Sequence, residues 1–165
     1  MNSPTHKMST KKKALSRGAS KSQPGEKAYE SFVGSVDVLA IWLKSCSSEI
    51  SRAAFFEIEN GLNVFKQSYR VLEVLQDHFE AEGKFELTIA ASEGTDSVVK
   101  LQFSFVADIH SDQEISKDHA DRFAHSELRL VLMPFARQFV STITSQMAIP
   151  PVLLPLLKRK QPSSK

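Results

Sequence analysis

The chain has 165 residues, 41% of them apolar, a single cysteine and a net charge of +2. That length is one domain's worth, with enough apolar residues to build a core. The lone Cys46 excludes an internal disulfide framework and any multi-cysteine metal site, and fits a free thiol in a reducing cytoplasm. No apolar run approaches the roughly 20 residues of a membrane helix, so stable membrane insertion is not expected.

The charge is unevenly placed. Residues 1–28 carry seven Lys/Arg against one acid, a net of +6, and residues 158–165 carry four Lys/Arg and no acid. The stretch 29–157 carries ten Lys/Arg against eighteen acids, a net of −8. An acidic body is a poor electrostatic match for nucleic acid. Three segments are therefore predicted: a disordered basic tail over 1–28, a folded domain over 29–157 and a basic C-terminal tail over 158–165. The first lacks the apolar stretch of a secretory signal.

In chain order, Val36 to Ile58 is apolar and β-branched at its start, and Val38 to Leu43 fits either a strand or a short helix. Asn60 to Asn63 reads as a turn. Val71 to Phe79 reads as an extended stretch, continued through Glu80–Lys84 with Gly83 at a bend or bulge inside one long strand. Phe85, Leu87, Ile89 and Ala91 alternate with polar residues, and Ser92 to Asp96 has turn chemistry. The clearest strand is Val98 to Ile109. There Val99, Leu101, Phe103, Phe105, Ala107 and Ile109 share one face, the period-2 pattern of a half-buried sheet.

Ser111 to Glu114 is turn-like, and one helix is predicted from Ile115 to Met147, with Pro134 as a kink or a new first residue. Its second half places Phe135, Phe139, Ile143 and Met147 on one face. Ile149-Pro150-Pro151 stops it. The fold class is thus α+β: a four-stranded antiparallel sheet with a long C-terminal helix beside it.

The sequence has no phosphate-binding loop, dinucleotide fingerprint, nucleophile elbow or zincin motif. His78, His110, His119 and His125 are scattered, and the six-residue spacing of the last two puts them on different sides of a helix. No cofactor or catalytic residue is assigned, and function is expected to reside in a surface.

The run Met133-Pro134-Phe135-Ala136-Arg137-Gln138-Phe139 resembles the Phe-Pro-Tyr-Ala-Arg-Glu signature of SecB, the bacterial export chaperone. The similarity continues through Val140 to Thr144 and Ile149 to Leu154. Ile41-Trp42-Leu43-Lys44 resembles the first SecB strand, and Phe85 to Ala91 its long strand. Together these span roughly residues 36–157. The resemblance implies a SecB-like homotetramer, built as a dimer of dimers, that holds unfolded client polypeptides without ATP. Phe135, Phe139, Ile143 and Met147 would be its oligomer face, and Phe79, Phe85, Phe103 and Phe105 its client-binding apolar residues.

Of the SecB positions that dock the translocase motor SecA, only Glu49 keeps its acid. Ser45 and Thr95 replace the others, with Glu93 and Asp96 flanking Thr95. Gln146-Met147 replaces the usual Arg-Gly, and Lys158-Arg159-Lys160 replaces an acidic tail. These departures are more like the SecB-like chaperones that serve toxin–antitoxin systems. The competing partners are thus SecA with preproteins, an antitoxin, or nucleic acid bound by the basic tails.

Overall fold

The computed structural model describes residues 24–58 and 61–154. Helix α1 (Pro24–Gly34) leads into strand β1 (Val36–Ile50), a single turn α2 (Arg52–Phe56) and strand β2 (Leu62–Val74). Strands β3 (His78–Ala90) and β4 (Ser97–Ser111) follow, then helices α3 (Lys117–Ser126) and α4 (Leu128–Gln146). The strands form one antiparallel sheet in the order β1-β4-β3-β2. β3 and β4 therefore sit at its centre, and β1 and β2 at its edges.

The alternating strand lies where the pattern requires. Val99, Leu101, Phe103, Phe105, Ala107 and Ile109 are all buried, and Phe79, Ala81, Phe85, Leu87 and Ile89 lie beside them on the same face of β3. Leu128, Leu132, Met133, Ala136 and Val140 of α4, with Phe123 of α3, close over this face. Its aromatic rings meet at offset and edge-on angles that suit their quadrupoles, Phe85 on Phe103 with centroids 5.1 Å apart and Phe79 on Phe123 at 5.6 Å.

Several expectations need correction. Residues 24–28, assigned to the tail, open α1; residues 1–23 lie outside the described residues. Its buried anchors are Tyr29 and Phe32, with Val33 half-buried against the core and Ser31 accepting from the Gln113 amide. Phe32 is fully buried against His119, Phe79 and Phe123, and Tyr29 lies under the Arg122 guanidinium at 3.8 Å and bonds Ser126 at 2.9 Å. Val38 to Leu43 is strand, not helix, because it hydrogen-bonds along β4. Leu62 and Asn63 open β2 rather than finishing a turn.

The extended stretch Val71 to Phe79 is two strands joined by a tight turn, closed by the Leu75 N–H donating to the His78 carbonyl at 2.8 Å. β3 then runs through Gly83 with no bulge. Gly83 serves close approach instead. A Cβ there would sit 2.7 Å from Leu132 Cδ1 and 3.0 Å from Tyr69 Cε1, so its absence lets α4 rest on the sheet. The packed Tyr69 ring, whose hydroxyl donates to Gln67, has its phenol pushed up to about 12 by burial.

The single long helix is two. The break falls at Glu127, while Pro134 lies inside α4 on an exposed side. Ser116 caps α3 by accepting the His119 N–H at 3.2 Å. The end of α4 is a left-handed cap. Ala148 has φ +56°, its N–H reaches the Ser145 carbonyl, and the Ile149 N–H reaches that of Thr144.

Candidate functional site

The two ends of the fold that the helices leave open meet in a groove. One wall is α2 and the chain after it, Phe55, Phe56 and Ile58. The opposite wall is the extended strap Pro150-Pro151-Val152-Leu153, and Gly61, Asn63 and Ile89 form the floor. The cavity is about 410 Å³ and no charged side chain among the described residues lines it. Phe56 is 63% exposed and Leu153 76% exposed, so apolar surface faces water on both walls.

Local chemistry holds each wall. The Ser51 N–H donates to the Val98 carbonyl at 2.8 Å, pinning the start of α2 to β4, and Phe55 and Phe56 meet edge-on at 5.6 Å. Gly61 keeps the floor close to the sheet, since a Cβ there would lie 3.2 Å from Ile58 and 3.4 Å from Ile89. Opposite, the left-handed cap at Ala148 turns the chain out of α4. Thr144, fully buried, donates its hydroxyl to the Val140 carbonyl at 2.8 Å and accepts the Val152 N–H at 3.1 Å. The strap is thereby tied to the helix it leaves. Pro150 and Pro151 carry no N–H and have fixed φ, so this wall is stiff and offers carbon and carbonyls only.

The predicted client-binding residues lie elsewhere. Phe79, Phe85, Phe103 and Phe105 are all buried in the core, where a client reaches none of them without displacing α3 or α4. Their alternation is that of core residues, while Phe56 and Leu153 sit in a turn and a strap that carry no periodic signal. Gly61 and the double proline were the only legible marks of the groove.

The predicted oligomer stripe is present but lies at the margin of α4. The residues facing the core are Leu132, Ala136, Val140 and Thr144. Phe139, Ile143 and Met147 are half-buried, and Phe135 is 43% exposed beside Phe105. Next to them runs β1, with Val38, Leu39, Trp42 and Leu43 all exposed. Val38 and Leu43 pair in register with Ile109 and Phe105, so they adjoin the α4 stripe on the same side of the sheet, while Trp42 pairs with Val106 on the opposite face.

The three predicted docking acids are brought to one end of the sheet. Glu49 pairs in register with Lys100 near the end of β1, and Glu93 and Asp96 lie in the β3–β4 hairpin; all three are exposed. Among the described residues, no group of three His, Cys, Asp or Glu side chains is placed to hold a metal ion, and no helix is long and apolar enough to cross a membrane.

No protein-family model matches the chain, and no curated protein matches it significantly. Among solved structures, the Mycobacterium tuberculosis Rv1957 SecB-like chaperone, in complex with a ChAD peptide from the Rv1956 HigA1 antitoxin, matches with a TM-score of 0.66. The match has 18% identity and covers 78% of this chain and 95% of that one. A protein of unknown function from Streptococcus agalactiae matches more loosely, with a TM-score of 0.45, 9% identity and coverage of 73% of this chain and 97% of that one. The first likeness defines the architecture: the four antiparallel strands and flanking helices have the fold of a SecB-like chaperone.

Proposed function

We propose that this protein is an ATP-independent, non-enzymatic holdase that binds unfolded polypeptide in the groove between α2 and the proline strap. The observation that carries the reading is the groove lined by no charged side chain among the described residues, with Phe56 and Leu153 exposed on opposite walls. Apolar attraction is non-directional, so such walls hold many sequences. Burying one client Leu or Phe contributes about 1.5–3 kcal/mol, and repeated weak contacts along one client add by avidity. Binding only the unfolded state keeps a client from folding by mass action.

The decisive experiment measures aggregation of a denatured client protein with and without the chaperone. Phe56→Ser combined with Leu153→Ser should abolish suppression while the melting temperature of the chaperone stays near that of the parent. Full suppression by that folded variant would overturn the groove assignment.

Within this reading we favour a dedicated client. The structural relative is a chaperone in complex with an antitoxin peptide, and the SecA positions here keep only Glu49. Delivery of preproteins to SecA is the second reading, supported by the gathering of Glu49, Glu93 and Asp96 at the end of the sheet that also bears the groove floor. Rim charges govern on-rate and salt dependence. Glu49→Lys with Asp96→Lys should then weaken SecA binding and leave client holding intact. Absence of SecA binding by the parent at low salt would eliminate delivery.

The homotetramer is supported by the apolar surface of β1 and the α4 stripe, which a single four-stranded layer leaves uncovered. Light scattering should give a mass above 18.4 kDa by an even multiple. A cytoplasmic location fits the free, exposed Cys46. Of the basic tails, the alternative nucleic-acid contact, residues 1–23 and 158–165 lie outside the described residues.

A further inference from the structure

The face of the sheet turned away from the helices is electrically divided. At one end the register row Ala40–Asp108–Glu80–Glu73 carries three acids, with Asp37 and Asp77 nearby. Toward the hairpin, the row Ser45–Ser104–Lys84–Ser68 crosses all four strands. These side chains line an open trough of about 620 Å³, with Gln102, Glu86 and Lys66 in the next row.

The carboxylates of this half are already engaged. Glu82, buried under the sheet's own side chains, is held by Arg70 at 2.6 Å and Lys44 at 3.4 Å, and Glu86 by Lys66 at 3.6 Å and Gln102 at 2.9 Å. Lys84 pairs with no carboxylate among the described residues, and it is exposed between the hydroxyls of Ser104 and Ser68.

We propose that this trough docks an acidic, extended polypeptide segment of a partner protein, with a carboxylate of the segment on Lys84. Strands lie about 4.8 Å apart, so the row from Ser45 to Ser68 spans about 15 Å, the reach of roughly five extended residues. The Ser68 hydroxyl serves the segment's backbone, Ser45 and Ser104 being bonded to each other at 2.8 Å with Ser104 buried, and the acids beyond Glu82 repel its charge and fix the end of the face on which it lies. The same acids make the face too short a cationic track for a nucleic-acid backbone. The chain's own tails are basic and do not fit. This surface is separate from the apolar groove, so a partner held here leaves the groove free for a client.

The test uses the full ¹⁵N-labelled chain and three probes of equal length: a Glu/Asp-Ser peptide, a Lys-Ser peptide and a single-stranded DNA oligonucleotide. The acidic peptide should shift the amide signals of Ser45, Ser68, Lys84 and Ser104, with affinity falling as salt rises. Lys84→Glu should weaken binding about tenfold or more, and Lys84→Gln by less, as expected for loss against reversal of one close charge. Suppression of client aggregation should be unchanged in both variants. No shifts at low salt, or binding that Lys84→Glu leaves unaltered and that therefore belongs to the basic tails, would overturn the proposal. So would tighter binding of DNA or of the basic peptide at these residues, or shifts that depend on protein concentration alone, which would mark the face as a contact between copies of the chain.

Discussion

The centre of the sheet and its β1 edge are made of similar residues and behave differently. β3 and β4 put Phe79, Phe85, Phe103 and Phe105 under α3 and α4, where almost nothing of them reaches water. β1, α2 and the strap carry Trp42, Leu43, Phe56 and Leu153, and the helices do not reach them. Residue type is the same in both regions; cover is what separates core from exposed apolar surface, the binding surface of the proposed holdase. A holdase needs both, because the apolar surface it offers must stay outside while an equally apolar core keeps the sheet rigid behind it.

The largest effect expected from breaking this contrast is at Phe79. Phe79→Ala should cost about 3–5 kcal/mol of unfolding free energy in denaturant titration, as a fully buried aromatic leaves a cavity. Phe56→Ala, on the open side, should stay within about 0.5 kcal/mol of the parent while impairing client binding. Equal losses at the two positions would erase the distinction between the regions.

Next comes Glu82, 2% exposed on the outer face. Burial alone would push its carboxyl up, but the Arg70 hydrogen bond and charge, with Lys44, outweigh burial and hold it below the usual range. Its contribution to stability is therefore full above the unfolded carboxyl value and is lost as pH falls through the lower folded value. Arg70→Ala should cost about 1.5–3 kcal/mol and move the acid-unfolding midpoint to higher pH. An unchanged midpoint would mean that Lys44 alone suffices.

Gly83→Ala sets the added Cβ against Leu132 and Tyr69, and should cost about 1–3 kcal/mol through overpacking between sheet and α4. A neutral result would show that α4 shifts freely over the sheet.

The smallest effect has the opposite sign. Ala148→Gly removes the left-handed strain of a side-chain-bearing residue and should stabilise by about 1 kcal/mol. A loss of stability there would show that the Ala148 methyl group packs usefully at the groove wall.

β4 and the second half of β3 were legible because a half-buried strand must alternate, β4 over a dozen residues and β3 from Phe85 on. The double proline and the last stretch of α4 were legible for equally local reasons. What escaped detection depends on partners distant in sequence. Tyr29 and Phe32 are two anchors in a polar segment, and α1 exists because His119, Phe123 and Phe79 receive them. The break at Glu127 carries neither Gly nor Pro, while Pro134 drew attention to a helix that runs through it. The turn at Gln76-Asp77 fell inside a stretch read as continuous and extended. The groove was missed because its walls are aperiodic: Thr144 looks like any helix threonine until Val152 is found on its hydroxyl.

β1 departs from the regular ladder twice, between Val38 and Ala40 and between Leu43 and Ser45. Each irregularity leaves one residue, Leu39 and then Lys44, out of step with β4, and bulges bend a strand and increase its twist. An edge strand this apolar, if flat, would be a template on which further strands stack without limit. Two kinks and a lysine make such growth self-terminating. For the proposed holdase, working beside aggregating chains, β1 would thus carry a safeguard against becoming the seed.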